Sequence, residues 1–218
     1  MTSGDDRQAR ALPSGAAAPL LTAGAIGLLA AVVLGALFSG QTTGSRVDRW
    51  AAARLELPTG SAPVRYPLSL LLQGLADPVP ASFFVVALVI ACLWRGYGRL
   101  AVVAVVATFV TDLSVIIAKH IVGRTIHGGS LTYPSTHAAH SAVVAMVSAL
   151  LVANLAQSGP RVSVLLVLGA ALAAATVMGW SLVAGSVHYA TDVVGGISVA
   201  LFVLPTVACG ADLVGDRI

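Results

Sequence analysis

The chain has 218 residues, 57% of them hydrophobic and only 10% charged, with a formal net charge of +3 and a mean hydropathy of +0.92. A soluble domain carries roughly a quarter charged residues, so a water-covered fold is excluded, and the few basic residues flank apolar runs, which argues against a nucleic-acid partner. Apolar stretches of about 20 residues, enough to cross a hydrocarbon core of about 30 Å, recur and are continuous rather than alternating, which selects spanning helices over a barrel.

In chain order, residues 1–17 (MTSGDDRQARALPSGAA) are polar and are expected to form a disordered tail. Span one is expected over Ala18–Ser39; its apolar core is too long for a signal peptide, so it reads as uncleaved. The spacing of Val47, Trp50, Ala51, Arg54 and Leu55 predicts a short interfacial helix. Pro67–Leu75 is too short to cross and is expected to dip into the interface. Further spans follow at Val79–Trp94, Leu100–Ala118, Ala138–Ala156, Val162–Trp180 and Tyr189–Cys209, and residues 211–218 read as a C-terminal tail. The expected fold is an all-α polytopic bundle of six spans, one membrane domain over residues 18–210. Cys92 and Cys209 fall in apolar runs and read as small buried thiols, and no Cys/His cluster has metal-ligand spacing, so neither metal nor cofactor is expected.

Six spans impose a parity. The connections one-to-two, three-to-four and five-to-six share one face, and they carry the two polar clusters "KHIVGRTIHGGSLTYPSTH" and "SLVAGSVHYATD". Arg7, Arg10, Arg95, Arg99, Arg161 and Arg217 fall on the other face; Arg46, Arg49, Arg54, Arg65, Lys119 and Arg124 fall on the cluster face. The counts are equal, but the short loops "RGYGR" and "GPR" look like cytoplasmic retention signals, so the clusters are expected outside the cytoplasm of a cell-membrane protein.

Three groups of residues can carry chemistry. His188 and Asp192, four apart at a helix start, lie on one face; the carboxylate can fix one imidazole nitrogen and free the other as nucleophile or base, although an Asp there also serves as an ordinary cap. In Pro134-Ser135-Thr136-His137, helix capping explains the first three residues but neither His137 nor His140 one turn deeper. A helix N-terminus with a hydroxyl is also an anion site, and a histidine beside it can protonate a departing oxygen. Lys119, the single lysine, and Arg124 flank Gly123 and suit two phosphate oxygens, with helix-end snorkelling as the ordinary alternative for the lysine. Cations, helix N–H groups, an acid and an Asp-oriented histidine on one membrane face match phosphoryl transfer, and without an acidic metal cluster the metal-free route runs through phosphohistidine.

These stretches resemble the three motifs of the type 2 phosphatidic acid phosphatase superfamily of six-span lipid phosphatases, K-x6-R-P, P-S-G-H and S-R-x5-H-x3-D. Here they read "KHIVGRTIH", "PSTH" and "SLVAGSVHYATD", so that the resemblance covers spans three to six. It implies His188 as nucleophile, Asp192 as its orienting partner and His137 as general acid. Lys119, Arg124, Ser135 and the amide of Thr136 would hold the phosphate. The first motif has Ile126 and His127 where the family has Arg-Pro, the second has Thr136 for Gly, and the third has Leu182 for Arg. His127 and His140 are therefore expected to supply compensating hydrogen bonds, and Asp112, seven residues before Lys119, to pair with it. The expected substrate is a membrane lipid phosphate: phosphatidic acid, phosphatidylglycerol phosphate or a polyprenyl (di)phosphate. Transfer to an alcohol, a non-catalytic lipid-binding relative and a small ion transporter are the competing readings.

Overall fold

The computed structural model describes residues 9–55 and 64–217. Among them the chain forms eight helices: α1 Ala17–Leu37, α2 Arg46–Leu55, α3 Arg65–Leu75, α4 Pro78–Trp94, α5 Gly98–Val122, α6 Thr136–Leu155, α7 Pro160–Ala184 and α8 Ala190–Gly215. A two-stranded antiparallel hairpin, β1 Thr125–Ile126 and β2 Ser130–Leu131, joins α5 to α6. The protein is nearly all-α, as its composition requires. Five helices are long and apolar enough to span a membrane, and α3 with α4 makes a sixth span bent by 64°. The bend falls at Ala76–Asp77, where Pro78 opens α4 at its first position and cannot continue α3.

α8 and α6 are the most buried spans; α8 packs against α1, α5, α6 and α7. The interior is made of small and β-branched residues such as Ala142, Val143, Val147, Ala200 and Val203, so helix axes approach closely and packing rather than hydrophobicity holds them together in lipid. Hydroxyls within the spans bond back to the preceding turn, as Thr108 to the Ala104 carbonyl and Ser148 to that of Val144, which satisfies donors that lipid cannot.

Two expectations at the termini are corrected. From Ala11 the N-terminal segment is packed rather than disordered: Ala11 and Leu12 are buried, and their N–H groups donate to the Asp212 carboxylate at 2.7 and 3.0 Å. The rest of the expected tail, residues 1–8, lies outside the described residues. At the other end α8 runs to Gly215 instead of releasing a tail at residue 211, because Arg99 of α5 binds Asp216 at 2.6 Å.

Candidate active site

The site is built where the Pro-Ser-Thr-His turn meets the start of α8. The Ser135 N–H donates to the Asp192 carbonyl at 3.0 Å, and Ser135 caps α6 by accepting from the Ala138 N–H at 3.4 Å. Such close backbone approach requires glycine on α8. A Cβ at Gly196 would lie 2.3 Å from the Ser135 carbonyl, and one at Gly195 would lie 2.4 Å from the Tyr133 ring. The Val-Val-Gly-Gly run after Asp192 thus lets two distant clusters join.

The junction fixes the two histidines. His188 sits in the α7–α8 loop, its Nδ1 3.6 Å from Asp192 Oδ2 and its side chain 9% exposed. Asp192 is fully buried; the same oxygen accepts from the Tyr189 N–H at 3.0 Å, closing a capping box. The ring of His137 stands edge-on to His188 with centroids 6.3 Å apart. Burial pushes the His188 imidazole below its ordinary 6.5; the Asp192 carboxylate works against this, while the charges of Lys119 and His137 add to it. His188 is therefore neutral at neutral pH, the form that has a lone pair to offer.

The cations are arranged differently from expectation. Lys119, half-buried near the end of α5, donates to the Leu131 carbonyl at 3.0 Å and is close enough to His188 to act on its charge. Arg124, expected on the phosphate, is instead fully buried: Nη1 binds Asp192 Oδ1 at 2.6 Å and Nη2 binds Asp48 Oδ2 at 2.7 Å. Its guanidinium is stacked between the rings of Phe38 and Tyr189, 4.3 Å from each. The physical reason is the charge beside it. Two buried carboxylates must be neutralised, and the planar fork of arginine reaches both.

Asp48, Asp77 and Thr191 are the residues that sequence reasoning missed. Asp48 of α2 accepts from the Thr191 N–H at 2.9 Å and the Thr191 hydroxyl at 2.8 Å. Burial opposes its charge, but bonds from Thr191, Ser45 and Arg124 outweigh this and hold its pKa below 3.8. In the sequence it is hidden by its second role, reciprocal capping with Ser45. Asp77, the residue before α4, reads as an ordinary cap yet makes no cap bond and lies 3.1 Å from His137 Nε2.

The remaining candidates sit around this centre. His127 Nε2 contacts the Ser186 carbonyl at 2.6 Å, tying the hairpin to the His188 loop. Leu182, where the family motif has arginine, is fully buried in the core, and its carbonyl receives the His188 N–H. Thr136 opens α6 beside His137. Asp112 does not pair with Lys119: seven residues are about 10 Å of helix rise, and its carboxylate instead meets His140 Nδ1 of α6 at 3.2 Å.

The arrangement offers a neutral histidine held by a buried carboxylate, a second imidazole facing it and one nearby lysine, all at the ends of spanning helices. The sequence model of the PAP2 superfamily matches residues 100–212, over half of the chain and every one of the three motifs. No curated protein and no solved structure gives a match. By that match and the motifs it covers, the chain belongs to the PAP2 superfamily.

Proposed function

We propose that this chain is a cell-membrane phosphatase that cleaves a lipid phosphomonoester or pyrophosphate through a phosphohistidine. The superfamily generally hydrolyses phosphoesters, and the spanning helices make a membrane lipid the natural substrate. The observation that carries the reading is the facing pair of imidazoles, His188 backed by Asp192 and His137 with its centroid 6.3 Å away.

Asp192 faces Nδ1 of His188, so Nε2 attacks phosphorus in line with the lipid oxygen. The phosphorus–oxygen bond breaks as the phosphorus–nitrogen bond forms, and the departing oxygen takes a proton from His137. Because His137 Nε2 faces Asp77, Nδ1 is the donating atom. Water then attacks phosphorus and gives its proton to His137 as the phosphorus–nitrogen bond breaks and its electron pair returns to His188 Nε2; inorganic phosphate leaves, and both imidazoles are restored. Lys119 and the N–H groups opening α6, at Thr136 and beyond, stabilise the phosphoryl oxygens; Ser135 shapes that opening as its cap. Arg124 acts through Asp192, holding the carboxylate that holds the nucleophile.

Purified protein offered phosphatidic acid, phosphatidylglycerol phosphate and polyprenyl phosphates tests this. Wild type is expected to release phosphate from at least one, and His188→Ala to lose on the order of 10³-fold or more of that rate. Equal release by both proteins discards the nucleophile. Arg124's burial favours a second reading, a headgroup binder without turnover, which predicts lipid binding with no phosphate release by wild type. The site is placed on the extracytoplasmic face. A Ser130→Cys reporter on the exposed hairpin should be labelled from that side of sealed vesicles, and labelling only from the cytoplasmic side reverses the placement.

A further inference from the structure

The helix α3, RYPLSLLLQGL, is apolar but for its ends, Ser69 and one amide in its last turn. That amide, Gln73 Nε2, donates to the Ser181 carbonyl near the end of α7 at 2.8 Å. Packing of α3 on α7 brings it there, but the carbonyl does not require it, because the Gly185 N–H donates to the same oxygen at 3.0 Å. A leucine at position 73 would suit this helix better than an amide, whose removal from water is costly. Helix-to-helix glue therefore does not account for the contact.

What the amide lies against is the loop that carries His188. A Cβ at Gly185 would fall 2.4 Å from Gln73 Nε2, so the side chain rests on the first residue after α7. The loop then folds back on the end of that helix. Ser186 is left-handed at φ 55°, and the N–H groups of Val187 and His188 both donate to the Leu182 carbonyl, at 3.0 and 3.4 Å. His188 thus hangs from the residue next to the one that Gln73 holds. Four residues beyond Gln73, Asp77 stands 3.1 Å from His137 Nε2. The elbow between α3 and α4 therefore reaches the supports of both imidazoles, whose centroids are 6.3 Å apart.

Resting on the phosphatase reading above, we infer that Gln73 is a positioning residue: it pins the end of α7 to the α3–α4 elbow and so fixes His188 in front of His137. Gly185 is its counterpart, glycine because the amide fills the place of a Cβ. Gln73 acts through the Ser181 carbonyl and not on the substrate. Releasing the pin lets His188 leave the line of attack, a displacement that slows chemistry without loosening the bound phosphate.

The full chain in detergent, given an alkyl and an aryl phosphate, tests this. Gln73→Leu keeps the bulk and suits the helix. It should lower kcat about tenfold on both substrates, with KM and melting temperature nearly unchanged. The equal loss distinguishes it from Asp77→Asn, whose effect falls on the alkyl phosphate. Gly185→Ala, at a φ of −84° that alanine adopts freely, displaces the amide from the other side and should repeat the loss. Added to Gln73→Ala, which clears that space, it should cost little more. An unchanged kcat in folded Gln73→Leu, a loss confined to KM or to melting temperature, or additive losses in the double variant overturns the inference. If wild type releases no phosphate, the phosphatase reading fails and the pin is judged by diethyl pyrocarbonate modification of His188, read by peptide mass. Modification several-fold faster in Gln73→Leu supports the pin; an equal or slower rate overturns it.

Discussion

Each end of the bundle is closed by an arginine between two aspartates, and the two closures differ in what they leave over. At the terminal end Arg99 binds Asp216 at 2.6 Å and lies 3.8 Å from Asp212. Arg10 adds a second cation to Asp216, and the N–H groups of Ala11 and Leu12 complete Asp212. Two positive and two negative groups balance, and the oxygens of Asp212 are used. At the site end Arg124 neutralises Asp48 and Asp192 in full burial and Asp192 Oδ2 accepts from the Tyr189 N–H, but His188 Nδ1, 3.6 Å from that oxygen, has no hydrogen-bond partner among the described residues. A network built only to hold a fold satisfies its members. The one that stops short at a histidine is the one on which the proposed chemistry rests.

Removing the two arginines is the harshest way to break this comparison. Arg124→Met leaves two carboxylates buried without a cation and should cost about 3–5 kcal/mol of stability, with phosphate release lost alongside. Arg99→Met, at a partly exposed network, should lower the melting temperature less and spare turnover. Equal melting shifts, or an active Arg124→Met, would show that the two ends are equivalent. A smaller effect separates structure from catalysis within the site end. Asp77→Asn should slow release from an alkyl phosphate by about 10²-fold, the lower range for general-acid assistance, and should slow release from an aryl phosphate far less, since an aryl oxide leaves without a proton. A loss common to both substrates would make Asp77 a structural residue only.

Acid offers the gentlest discrimination. His188 has a folded pKa below its ordinary 6.5, so between the two values the unfolded chain holds more protons. This contribution to stability is complete above pH 6.5 and declines as pH falls toward the folded value. The acid limb of kcat/KM should accordingly lie below pH 6.5. At the terminal end, hydrogen bonds from Arg99 and Arg10 hold Asp216 below 3.8, so its contribution is present above 3.8 and is lost only as pH falls through that lower folded value. Circular dichroism and phosphate release followed from pH 7 to 3 should therefore separate, with activity going first. Simultaneous loss would mean that the site and the fold titrate as one.

Much of this architecture was legible before any coordinates. Hydropathy is a local property, so the spans could be read within a few residues of their ends, and helix parity alone put the two polar clusters on one face. The His188–Asp192 pair was legible because residues four apart across a helix start stay close, even though His188 falls in the loop just before α8. Asp48 and Asp77 were not, because each carried a complete local explanation as a capping residue. Their partners, Arg124 and His137, are 76 and 60 residues away in sequence.

Sequence alone therefore determined the membrane class, most of the helix inventory and the family motifs, because apolar length and short motif spacings are local facts. Only the tertiary structure decided that Arg124 serves a buried carboxylate pair and that Asp112 meets His140 instead of Lys119. Those outcomes follow from which charges are buried together and which helices pack side by side, and in a low-dielectric interior each ionised group must take the partner that packing brings within reach.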